Sequence, residues 1–128
     1  MNNRKNISSG AVWENLIGYS RAVRINNVIE VSGTTSSDGE NIIGIGNVYE
    51  QTKFIISKIE SSLLQAGASL NDVVRIRMFV TDISKWDEIG KAHNEFFKNI
   101  KPAATMVEVK SLIHPDLLIE IEATAIVQ

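Results

Sequence analysis

Few side chains in this sequence could do chemistry, and their spacing narrows what that chemistry could be. Glu120 and Glu122 stand two apart in the alternating run LIEIEATAIV (118–127), so an extended backbone points both carboxylates to one face. A glutamate there becomes a poised acid/base group if an interface desolvates it. The competing reading is structural. VVRIRMFVT (73–81) sets Arg75 and Arg77 on one face, and pairing with these arginines would also perturb the carboxylates. The two histidines belong to different elements: His93 lies on an inner helical stripe beside aromatics, and His114 precedes Pro115 in a loop. Neither has an HxxxH partner or an acidic cluster, so no metal site is expected. Gly44-Ile45-Gly46 ahead of a helix hints at a phosphate cradle. It lacks the third glycine and the lysine of a P-loop, and reads better as a flexible loop. No GxSxG elbow is present. With no cysteine in the chain, a disulfide framework, a thiolate zinc site, an iron–sulfur cluster and a cysteine nucleophile are excluded.

The elements that must position these groups follow from periodicity. RAVRINNVIEVSG reads as a hairpin turning at Asn26-Asn27, which tolerate positive φ. Residues 34–46 are turn-rich and read as a loop. Over 47–66, Val48, Thr52, Ile55, Ile59, Leu63 and Ala66 recur at helical steps, and Gly67 stops the helix. In strand 73–81, Val74, Ile76, Met78 and Val80 share a face opposite Arg75, Arg77 and Phe79. Ser84 reads as the N-cap of a second helix running to about residue 98, with Trp86, Ile89, His93 and Phe96/Phe97 on its inner side. Strands follow at 105–109 and 118–127, and a short one is expected near 4–7. The order is β-β-α-β-α-β-β. Two helices cannot cover both faces of such a sheet, so an α+β domain of two layers is expected over residues 1–128. Its open face would carry Arg75, Arg77, Glu108, Glu120 and Glu122 beside Met106, Phe79, Leu118 and Ile126. That mixture suggests contact with another copy; the alternative is a wet face with cross-strand pairs.

The bulk numbers agree with one soluble domain. The chain has 128 residues, 44% hydrophobic and 22% charged, far from the disordered range. A net charge of −2 and a pI near 5.7 argue against a general nucleic-acid binder. No apolar run is long enough for a membrane span, and MNNRKNISSGAVWEN lacks the apolar core of a signal peptide. A cytoplasmic location is expected.

Several stretches together resemble the RidA/YjgF family, the reactive-intermediate deaminase superfamily also described as endoribonuclease L-PSP. They are GYSRAV (18–23), VIEVSGTT (28–35), LLQAGASLNDVVRIRMFVTDI (63–83), HNEFF (93–97), KPAATMVEV (101–109) and LIEIEATA (118–125). The resemblance implies a chorismate-mutase-like fold with one mixed sheet, two helices on one face, and a homotrimer whose sheets form a barrel. It also implies small-molecule clefts between subunits. The activity implied is hydrolysis of imines and enamines to carbonyl compounds and ammonia, without cofactor or metal. Carried over by position, Glu120 matches the acidic residue, Tyr19 the cleft tyrosine and Gly33 the glycine beside the pocket. The deaminating pattern Pro-Ala-Arg-Ser/Thr is here Pro102-Ala103-Ala104-Thr105, so a methyl group stands where an arginine would clamp a substrate carboxylate. Met106 stands where many members have cysteine, and Gly90 where deaminating members have a pocket asparagine. The resemblance therefore implies a small-molecule binder with poor or altered deaminase activity. Alternatives are a genuine hydrolase in which Arg21 or Arg24 substitutes, and, more weakly, a ribonuclease.

Overall fold

In a computed structural model, which describes residues 3–128, the chain forms six strands in one sheet, a small separate hairpin and three helices. The hairpin of β2 (Ala22–Ile25) and β3 (Val28–Thr34) turns at Asn26, whose φ of 53° is the left-handed value its residue type tolerates. β1 (Arg4–Ile7) pairs antiparallel outside β2. The 34–46 stretch, expected as a loop, contains a two-stranded hairpin, β4 (Ser37–Asp38) and β5 (Asn41–Ile42), turning at Gly39 with φ 64°. Then come α2 (Val48–Gln65), β6 (Val73–Val80), α3 (Trp86–Phe97), β7 (Ala103–Glu108) and β8 (Ile119–Ile126). The sheet order is β1-β2-β3-β8-β6-β7; only β6 and β7 run parallel, joined through α3 as a parallel crossover requires.

The core lies between the sheet and the pair α2/α3. Ile55, Ile56, Ile59 and Leu63 of α2 meet Ile29 and Val31 of β3, Ile76 and Val80 of β6, and Ile119 and Ile121 of β8, all of them buried. The six α2 positions expected from periodicity are all buried. Asn47 caps α2 by accepting from the Glu50 backbone N–H at 3.1 Å. At its other end, Arg24 donates to the Ala66 carbonyl at 2.7 Å and Lys5 to the Gln65 carbonyl at 2.9 Å, cations placed where the helix dipole is negative.

Further expectations are corrected. A third helix, α1 (Val12–Ile17), precedes β2 and ends at Gly18 with φ 92°. Val73 rather than Val74 faces the core. The β6–β8 register slips between Val73 and Arg75, and this bulge turns Val74 outward. β7 pairs with β6 so that Thr105 neighbours Arg77 and Met106 neighbours Met78. Met106 and Glu108 therefore point to the helix side, with Met106 packed on the core, while Thr105 and Val107 take the open face. Leu118 likewise packs against the core. Finally, Ser84 is not the cap of α3. Asp82 caps a short 3₁₀ turn (Ile83–Lys85) by accepting from the Ser84 N–H, and α3 continues from that turn at Trp86, which is exposed.

Candidate functional site

Glu120 sits on β8 on the open face of the sheet, directly across from Phe79 of β6. Its half-buried position is made by β3. Between Val31 and Thr34, β3 carries one residue more than β8 opposite it, a bulge centred on Ser32 and Gly33. The bulge presses the Gly33 backbone onto the carboxylate: a Cβ at Gly33 would lie 2.1 Å from Glu120 Oε2. Only glycine permits that approach.

The Gly33 carbonyl accepts a 2.6 Å hydrogen bond from Arg21 Nη2. Arg21 is itself held at both backbone ends, its N–H donating to Ile7 and its carbonyl accepting from the Ser32 N–H. The charges around it are Glu14 of α1, Lys58 of α2 and Glu120. Burial pushes the Glu120 carboxyl above the usual glutamate range; Arg21 opposes that rise and Glu122 adds to it. Burial also pushes the Glu14 carboxyl up, but bonds from Ser9 and Ser8, together with Arg21, more than offset it and leave Glu14 below its usual value. Burial, reinforced by Arg21, lowers the Lys58 ammonium, which donates to the Thr35 and Ser37 carbonyls at 3.0 and 2.8 Å.

The expected pairing of the glutamates with Arg75 and Arg77 holds for one of them. Arg77 lies 3.6 Å from Glu122, an exposed pair worth tenths of a kcal/mol, about 0.2–1. Arg75 instead donates to Thr105 Oγ1, and the cation beside Glu120 is Arg21.

The other candidates fall elsewhere. Tyr19, exposed after α1, lines a surface concavity of about 520 Å³ with Asn15, Ser20 and Ser32; Gly33 and Glu120 are outside that lining. Ala104 neighbours Ile76 on the helix side of edge strand β7, followed by Thr105 on the open face and Met106 on the core side. Gly90 lies on α3 with open space where a side chain would begin. One chain thus holds Glu120 and Gly33 on one face and Ala104 and Met106 on the other. His93 stacks on Phe97 at 4.6 Å, and burial lowers its pKa. His114 is an exposed turn residue accepting from the Asp116 N–H. Arg24 is committed to the α2 terminus. The roles of Lys58 and Glu14 were not legible beforehand. In the sequence Lys58 is one polar residue among several off the apolar stripe of α2, and Glu14 belongs to a helix too short to show a period.

Fold and site together define a two-layer α+β protein with a desolvated carboxyl on the open face of its sheet, backed by a glycine bulge. The chain belongs to the endoribonuclease L-PSP family, the RidA/YjgF proteins, whose profile matches residues 12–127. It is 41% identical to a RutC family protein of Pyrococcus abyssi over 84% of each chain. It is 34% identical to the 3-aminoacrylate deaminase RutC of Acinetobacter baylyi, covering 86% of this chain and 87% of that one. Among solved structures, Rv2704 of Mycobacterium tuberculosis, a YjgF/YER057c/UK114 family member, superposes with a TM-score of 0.89 at 48% identity, over 97% of this chain and 99% of that one. The E. coli YjgF gene product gives 0.85 at 25% identity, over the same shares.

Proposed function

We propose that this protein binds a small imine or enamine in clefts between the subunits of a homotrimer, with Glu120 as the acid/base group, and that it acts poorly on small 2-imino acids. The observation that carries the reading is the Glu120 carboxyl: half-buried, held against the Gly33 backbone and raised by burial. Such a group takes a proton from an attacking water and passes one to nitrogen as the C=N bond gains water. Ammonia then leaves and a carbonyl compound remains. A relative named for deaminating an aminoacrylate, which is an enamine, supports the reaction class. The separation of Glu120 from Ala104 and Met106 onto opposite faces supports a site completed by a second subunit.

The resemblance sets Ala104 at the position of the carboxylate-clamping arginine. A methyl group cannot replace a charge-assisted bond worth about 1.5–3 kcal/mol, or one to two powers of ten. A neutral or bulkier substrate suits the space left by Ala104 and Gly90. The test is Glu120→Gln, assayed for hydrolysis of 2-iminopropionate and of uncharged imines. Turnover on every hydrolysed imine should disappear with the assembly intact; wild-type turnover in the variant overturns the assignment.

A further inference from the structure

Arg21 is the residue whose surroundings exceed what holding the fold together requires. It precedes β2 on the open-face side of the pleat, and its backbone is fixed by Ile7 of β1 and Ser32 of β3. Its Nη2 takes up the carbonyl that the β3 bulge presents, and that carbonyl belongs to the residue touching Glu120. Arg21 Nε is buried with no hydrogen-bond partner. Glu14 and Glu120 both feel the charge of this guanidinium.

We propose that Arg21 is a positioning residue for Glu120: it fixes the Gly33 carbonyl behind the carboxyl and holds a cation on that side of it. The proposal rests on the reading of Glu120 as the cleft acid/base group, and it assigns Arg21 an internal role in place of substrate clamping. The geometry explains how both jobs are done by one side chain. The hydrogen bond sets where the bulge sits, and the bulge sets where Glu120 sits. The charge opposes, in part, the desolvation that the same packing imposes. The other charges bearing on this pair are Glu122 on β8, itself paired with Arg77 of β6, Glu14 on α1 and Lys58 on α2. Phe79, facing Glu120 from β6, is uncharged.

The test follows the Glu120 side-chain carboxyl by ¹³C NMR through a pH titration in the wild type, Arg21→Gln and Arg21→Lys. Gln keeps a donor for the Gly33 carbonyl but removes the charge, so the Glu120 midpoint should rise by about one pH unit. Lys should restore most of it. The acidic limb of any imine-hydrolysis pH profile should move with the midpoint, which a purely structural role would not produce. A second readout needs no Arg21 variant: the Arg21 Nε resonance of the wild type should titrate with the Glu120 midpoint, and lose that step in Glu120→Gln. A Glu120 midpoint unchanged in folded Arg21→Gln, or an Arg21 signal blind to Glu120, overturns the proposal. If the titrations behave as expected while Glu120→Gln retains full turnover, the catalytic reading of Glu120 fails and the Arg21–Glu120 coupling stands.

Discussion

At Gly33 the backbone lies closer to the Glu120 carboxylate than any side chain would permit, and that closeness is what a substitution can undo. A methyl at Gly33 would collide with Oε2 at 2.1 Å and the carboxyl carbon at 3.0 Å. These atoms end a flexible side chain, so Glu120 can swing away while the strand stays. Gly33 has no positive φ, so alanine adds no backbone strain. Gly33→Ala should therefore cost only about 1 kcal/mol in a denaturant melt, the low end of overpacking. It should lower imine turnover about a hundredfold through misplacement of the acid/base group. A stable variant with unchanged turnover would show that the carboxylate position does not matter. Sequence alone placed Gly33 and Glu120 in the same pocket only by resemblance. Arg21 came forward there only with Arg24 as a stand-in for the missing substrate arginine, because a guanidinium reaching a bulge carbonyl leaves no spacing pattern.

Among the elements, α1 is the least orthodox. Val12, Trp13, Leu16 and Ile17 are exposed, while Glu14 is buried and bound by Ser8 and Ser9. A six-residue helix cannot hold itself together, so this carboxylate anchor does much of the fixing. Glu14→Gln turns an acceptor toward donors with an NH₂ group, which should cost about 1–3 kcal/mol near pH 7. Because the folded-state pKa of Glu14 is lowered, its contribution is present above the unfolded glutamate value of about 4.3 and is lost as pH falls through the folded one. The melting difference between wild type and variant should accordingly narrow below about pH 4; a constant difference across pH would mean that charge is not involved. Legibility varied among the elements for physical reasons. The long buried stripe of α2 and the Asn26 turn announce themselves. In α1 the apolar residues Val12, Trp13, Leu16 and Ile17 fall at helical steps but face solvent, and six residues are too few to fix a period. Alternation in β7 shows that Thr105 and Val107 share a face, but only pairing with β6 decides which face. A bulge such as that at Val74 breaks the period without a glycine or proline to mark it.

For the whole molecule, one chain holds the candidate residues on opposite faces of the sheet, so the proposed site requires assembly. Light scattering should give about three times 14.1 kDa. A stable monomer at micromolar concentration would remove the basis for a cleft shared between subunits. Within such a cleft, the resemblance puts a methyl group, Ala104, where an arginine would stand. Arg24 donates to the α2 terminus and Arg21 to the Gly33 carbonyl, so both already serve the fold. The most direct test is steady-state hydrolysis of 2-iminopropionate and uncharged imines by the wild type and by Ala104→Arg. The wild type should be poor on 2-iminopropionate, and the variant should gain on that substrate and not on the uncharged ones. The gain should be partial, since Gly90 and Met106 also depart from the deaminating pattern. Wild-type turnover equal to that of an arginine-bearing relative, and unmoved by Ala104→Arg, would contradict the account.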